Sequence, residues 1–310
     1  MKALFLSLLT CLLSVFVLSA QENYFKVTTL QLKDGSVPVF YHKKAKKASK
    51  RINDYLQLAT VGSLAEPHKD SLTCAYDYVI HQNNNRYLSV RCVPLDSSLA
   101  LPEKSIAFNA ATGQVISLTD LFSINGLADL KKLILRQHGD AVNQYLPAEQ
   151  REEVTKCLKN NLGIFTLKQG MISIRSGACF PANTDYRAVL DMPVQPVQNL
   201  LSNYGFGVFG LNPDVKMKKM VTNSLPNLYS GKIGNDAVLL QLDPAVEKNL
   251  SGVLYNMNTG KAIPVQGTFR SNHFDAEGSW GKLSVVISNG MVQGNYRPAG
   301  GRPQTVNLEK

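Results

Sequence analysis

Val265-Gln266-Gly267-Thr268-Phe269 and Val292-Gln293-Gly294-Asn295-Tyr296 are near copies of each other, and their reading decides the fold of the last part of the chain. Successive side chains of a strand point to opposite faces. Val, Gly and the aromatic ring therefore share one face in both copies. A glycine there leaves space for a neighbouring ring or a sharp bend, as a barrel corner requires. Leu250-Ser251-Gly252-Val253-Leu254-Tyr255 is a looser third example. Strand-like runs recur about every 10 residues over 228–310, the spacing of a small all-β antiparallel barrel or sandwich. Trp280, in Gly278-Ser279-Trp280-Gly281, is expected to plug such a barrel rather than to stack on a ligand.

A break precedes this region. Gly205, Gly207 and Gly210 lead into residues 210–227, which hold two prolines and no clear periodicity, and this is linker chemistry. Residues 21–209 mix strands and helices in an order that suits an α+β domain of antiparallel hairpins packed with helices. Phe25–Leu32 alternates like a half-buried strand that turns at Asp34-Gly35, and Ala48–Leu64 places Ile52, Tyr55, Leu56 and Ala59 on one helical face. Ala111-Thr112-Gly113 and Lys168-Gln169-Gly170 are read as hairpin turns. Between them, Gly126–Tyr145 and Ala148–Leu158 keep helical spacing, and Pro147 stops the first helix and can open the second. His138 lies on the apolar stripe and reads as a satisfied core histidine. A strand over Tyr186–Asp191 and a short helix within 193–201 complete the region.

The first twenty residues run Lys2, an apolar stretch from Ala3 to Val17, then the small residues Ser19 and Ala20. That is the pattern of a secretory signal peptide over 1–20, too short for a spanning helix, so the protein is expected to be exported, periplasmic or secreted, with no transmembrane anchor. Cys11 faintly resembles a lipidation site, but Thr10 stands where a small residue is wanted. Export changes how Cys74, Cys92, Cys157 and Cys179 are read, because disulfides persist outside the cytoplasm. Folding the hairpin of 72–94 about Asn83 sets Cys74 opposite Cys92, and Cys157 and Cys179 then pair by default. Such a loop closure stabilises by about 3 kcal/mol. A zinc site is the competing reading, but no cysteines lie close together in sequence and the histidines are scattered, so no metal and no cofactor is expected.

Six of the positive charges behind the net +10 lie in Lys43, Lys44, Lys46, Lys47, Lys50 and Arg51. They read as a solvated helix face or as a contact for an anionic surface such as phospholipid, lipopolysaccharide or wall polymer. Nucleic acid is not expected as a partner, since no aromatic residues interleave with the basic run to stack on bases. None of the Gly-x-Ser-x-Gly, His-Glu-x-x-His or phosphate-loop patterns occurs, so no catalytic residue is assigned.

Ile106-Ala-Phe-Asn-Ala-Ala-Thr112-Gly113-Gln-Val-Ile-Ser-Leu118-Thr-Asp120-Leu121-Phe122 resembles the strand, Thr-Gly turn, strand, Leu-x-Asp-Leu-Phe signature of an exported bacterial domain of unknown function. That domain is shared by the lysozyme-sensing anti-sigma-V factor RsiV and by some polysaccharide deacetylases. The likeness extends to the hairpin of 164–175 and to Leu190-Asp-Met-Pro193-Val-Gln-Pro-Val-Gln-Asn-Leu200-Leu201, and Ile52-Asn53 fits the companion domain that usually precedes it. An RsiV-like domain implies an α+β exported fold and a protein- or glycan-binding role. Neither sigma-factor signalling nor deacetylation is carried over. The expectation is a soluble, exported, non-catalytic binding protein of the bacterial cell envelope, recognising a protein such as lysozyme, or an envelope glycan. The alternatives are an envelope hydrolase with a dispersed active site and a structural component of an envelope complex.

Overall fold

The computed structural model describes residues 23–64, 71–96, 101–181, 184–212, 225–245 and 248–310. The expected signal peptide, Cys11 and most of the expected linker lie outside these residues.

The chain begins with a hairpin, β1 (Lys26–Leu32) and β2 (Gly35–Tyr41), whose turn residue Asp34 has a φ of 70°. Gly35 is required by packing, because a Cβ there would lie 2.6 Å from the carbonyl oxygen of Tyr76. Helix α1 (Lys46–Val61) follows, starting within the basic run rather than after it, and ends on Gly62 in the left-handed conformation. Its Asn53 accepts from the N–H of Phe40 at 2.9 Å and donates to the Phe40 carbonyl at 3.0 Å. One side chain thus satisfies both free main-chain groups of β2 and locks the helix to the hairpin.

β3 (Tyr76–Asn83), β4 (Tyr87–Pro94), β5 (Lys104–Asn109) and β6 (Val115–Ile116) form an antiparallel sheet. The register corrects the expected Cys74–Cys92 disulfide. Tyr78 faces Cys92 and Tyr76 faces Pro94, with a bulge between Ile80 and Gln82, so the hairpin folds about residue 85 and Cys74 falls beyond the ladder. The reason is a division of labour among the asparagines. Asn84 caps the turn by accepting from the N–H groups of Arg86 and Tyr87. Asn83 is buried and pairs with both main-chain groups of Phe25 at 2.9 and 2.8 Å. Cys74 and Cys92 are free thiols in one core with Phe25, Ile52, Tyr55 and Phe108.

A second core gathers the short α2 (Leu118–Leu121), α3 (Ile124–Tyr145), α4 (Ala148–Asn160) and the sheet of β7 (Ile164–Lys168), β8 (Met171–Arg175) and β9 (Val189–Pro193). Pro147 stands at the N-cap of α4, between the two long helices. β9 starts three residues later than expected, and the residues after it form a 3-10 helix, Gln195–Leu200, before α5 (Asn203–Phe209). Cys157 and Cys179 form the disulfide that ties α4 to the turn after β8, with Cα atoms 5.5 Å apart.

β10 (Asn227–Ile233), β11 (Asp236–Leu242), β12 (Asn249–Asn256), β13 (Ala262–Arg270), β14 (His273–Gly278), β15 (Gly281–Ser288), β16 (Met291–Pro298) and β17 (Gln304–Glu309) close an antiparallel barrel in simple sequence order, β17 pairing with β10. The repeated Val-Gly-aromatic face points inward. A Cβ on Gly267 or Gly294 would collide with the carbonyl oxygen of Asp275 or Ser284 on the neighbouring strand, so these glycines let the wall coil tightly. Trp280 stacks on Tyr296 with ring centroids 6.0 Å apart and packs against the barrel core, as the expected plug does. Outward residues of β13 to β17 are mostly polar and exposed. On β10 to β12 the outward face is mixed, and its Leu228, Leu239, Val253 and Tyr255 join the core of α1 and the first sheet. The run Ala237-Val-Leu-Leu-Gln-Leu242 is nearly continuous in apolar residues because both of its faces are covered. No helix among the described residues is long and apolar enough to cross a membrane.

Candidate functional site

Where the C-terminal half of α1 meets the barrel wall, a cleft of about 400 Å³ opens, lined by Leu58, Ala59 and Gly62 on the helix and by Ser251, Pro264 and Gln266 on the barrel. Its floor carries an ion pair between Lys104, at the start of β5, and Asp243, just past β11. The Lys104 ammonium lies 3.2 and 3.3 Å from the two Asp243 oxygens. Gln241 donates to one of these oxygens at 3.0 Å and Ser251 to the other at 3.2 Å. A carboxylate held by three donors acts as a fixed acceptor that organises the floor. The fully buried Tyr55 lies nearby, and burial first, then the Asp243 charge, pushes its phenol well above the ordinary value. Tyr76 is pushed up to about 12 by burial, with Asp243 the next cause. The cleft itself offers the side chains of Gln241, Ser251 and Gln266, one internally paired charge and apolar walls, a surface suited to binding a mixed polar and apolar segment. Sequence reasoning missed it. The one available signal was the doubly buried pattern of β11, which announces that something covers the barrel on that side.

The basic run divides into two parts. Lys43, Lys44, Lys46, Lys47 and Lys50 are exposed around the start of α1, and Lys50 pairs with Asp54 at 2.6 Å. Arg51 corrects the expectation of a six-residue surface patch. It is half-buried and donates to the carbonyl of Leu228, fastening α1 to the barrel. Burial lowers its pKa, opposed by Tyr229 and Asp54. The patch thus keeps its five lysines and loses Arg51, because a residue one step along a helix points about 100° away.

The first turn of α1 has no acidic residue, and Ala45 provides no side-chain cap. Placing Lys46 and Lys47 there opposes the helix dipole, at about 0.3–1 kcal/mol per charge. Helix stability does not account for lysines at that end.

The other candidates are structural. Burial pushes the Cys92 thiol up to about 12, with Cys74 adding to the shift, so it stays protonated and behaves as a small apolar side chain. His138 is fully buried, with Nδ1 2.8 Å from the Tyr186 hydroxyl, and burial lowers its pKa. Among the described residues no group of three or more His, Cys, Asp or Glu side chains converges as a metal site would require.

No protein-family model matches the chain, and no curated protein matches it. The likeness to the RsiV-like domain therefore rests on the residues quoted for it.

Proposed function

We propose that the protein is an exported, non-catalytic binding protein of the bacterial cell envelope, and that its ligand is an anionic envelope glycan. The observation that carries this reading is the row of exposed lysines at the uncapped start of α1, placed against the helix dipole. A localised cationic row attracts polyanions through long-range steering that salt screens. The cleft between α1 and the barrel supplies the short-range complement, with polar and apolar walls next to each other. The RsiV-like likeness adds lysozyme as a protein ligand to be tested beside the glycan. The lysine row disfavours a basic partner unless it docks elsewhere.

The test is retention of the purified, oxidised mature protein on insoluble peptidoglycan and on immobilised lysozyme, each at low and high salt. The Lys43, Lys44, Lys46, Lys47→Gln variant runs in parallel. Retention on peptidoglycan that falls with salt and with the quadruple substitution is the expected result. Salt-resistant retention on lysozyme alone replaces the glycan reading with a sensor-like one. Failure on both supports overturns the proposal.

A further inference from the structure

β7, the edge strand of the β7–β9 sheet, packs across β3, β4 and β5 through a layer rich in polar side chains. From β4, Tyr87, Ser89 and Arg91 point across, and from β5, Ser105 does so. From the β7–β9 sheet come Thr166, Lys168 and Arg175. Direct bonds fix this arrangement. Ser105 and Thr166 hydroxyls lie 2.8 Å apart, the Leu167 N–H donates to Ser89 at 3.2 Å, and the Tyr87 hydroxyl donates to the Lys168 carbonyl at 2.9 Å. The edge strands β3 and β7 meet at the rim of the layer.

At that rim the ladder breaks. Pairing passes from Ile80–Val90 to Gln82–Ser89, leaving His81 as the extra residue of a bulge. Bulges re-aim side chains. His81 Nε2, Arg91 Nε and Arg175 Nε are all buried with no hydrogen-bond partner. Arg91, Lys168 and Arg175 all lie close enough to oppose charge on the His81 ring, after burial itself. The carboxylates nearby belong to Arg175, which holds Glu103 at 2.7 and 2.9 Å, and to Lys168, 3.9 Å from Asp191. Arg91 faces Val79 and Ser105 across the ladders, and no carboxylate pairs with it among the described residues. All four basic side chains remain partly exposed, so the rim is open to solvent. Unpaired buried donors around an unmatched guanidinium form a site short of one acceptor.

We propose that His81 and Arg91, backed by Arg175 and Lys168, bind a small oxyanion group, phosphate or carboxylate, at the rim where β3 meets β7. The guanidinium supplies the charge and the neutral imidazole adds one N–H donor. The site is separate from the lysine row and from the α1–barrel cleft, and it stands independently of the function proposed above.

The test is NMR of the full mature protein, following the His81 ring while sodium phosphate, sodium acetate or sodium chloride is added at constant ionic strength. A saturable shift with phosphate or acetate but not chloride, together with an upward move of the His81 titration midpoint, is expected. Whichever oxyanion binds more tightly identifies the headgroup. Arg91→Gln weakens that binding about tenfold, the loss of one charge-assisted bond, whereas Lys132→Gln leaves it unchanged. If Arg91→Gln disturbs the fold by circular dichroism, Arg91→Lys serves instead, keeping the charge and losing the planar donor set. Responses identical to chloride, or an affinity untouched by the Arg91 substitutions, overturn the proposal.

Discussion

Lys104 and Asp243, 139 positions apart in sequence, form an ion pair that joins the first sheet to the barrel, with side chains only 19% and 21% exposed. This degree of burial decides what the pair is worth. Exposed pairs contribute little, whereas breaking a mostly buried one strands a charge. Lys104→Ala is expected to destabilise the protein by about 2 kcal/mol, read from urea unfolding. A double-mutant cycle with Asp243→Ala should return a coupling of about 1 kcal/mol. A loss under about 0.5 kcal/mol for Lys104→Ala means that solvent screens the pair.

The barrel glycines give a sharper test. A Cβ on Gly267 would sit 2.7 Å from the Ala276 Cα, and one on Gly294 would sit 2.8 Å from the Val285 Cα, apart from their collisions with carbonyl oxygens. Backbone cannot yield as a flexible side chain can. Either Gly→Ala substitution should cost more than about 3 kcal/mol. Gly139→Ala, in the interior of α3 with nothing within 4 Å of the new methyl, should instead stabilise by about 0.5–1 kcal/mol. Trp280, the single tryptophan, reports barrel unfolding by its fluorescence. A barrel that keeps its native midpoint with Ala at 267 and at 294 would refute the argument.

These glycines also show why the barrel could be read from sequence and the cleft could not. Alternation within a strand is a local property, so Val265, Gly267 and Phe269 declare their common face without reference to anything distant. The hairpin of β3 and β4 was legible as a hairpin, but its register depended on which asparagine took the turn. Asn84 took it because Asn83 has a partner, Phe25, 58 residues earlier. Arg51 looked like its lysine neighbours until the barrel carbonyl of Leu228 came within reach. Lys104, Asp243, His81 and Arg175 carry no signal in their own neighbourhoods. Packing between elements remote in sequence brings them together.

The cysteines divide by the same logic. Cys157–Cys179 closes a separation of 22 residues, and reducing it, or replacing both residues by Ser, should cost about 3 kcal/mol. Cys74 and Cys92 are buried at 0% and 1% exposure, so a thiol reagent should label neither in the native oxidised protein and both after unfolding. Mass spectrometry of the labelled, unreduced chain checks this. Two labels on Cys74 and Cys92 are expected under denaturant. An unlabelled pair would show that these thiols had oxidised in the native protein.

His138 predicts how stability responds to acid. Its ring is fully buried, Nδ1 is engaged by Tyr186, and Nε2 has no hydrogen-bond partner, so burial holds its folded pKa below the ordinary histidine value of about 6.5. The unfolded chain takes up the proton first. The stability associated with the neutral ring is fully present above about pH 6.5 and is lost as pH falls through the lowered folded value. His81, also shifted down, adds to the same trend. One such group changes stability by at most about 1.4 kcal/mol per pH unit. His138→Leu removes one of the two contributions, so its stability should fall less steeply than that of the unsubstituted protein between pH 7 and 5. Urea midpoints measured across that range test this. Parallel slopes in the two proteins would mean that the imidazole finds a counter-charge when protonated, and the buried-neutral reading of His138 would fail.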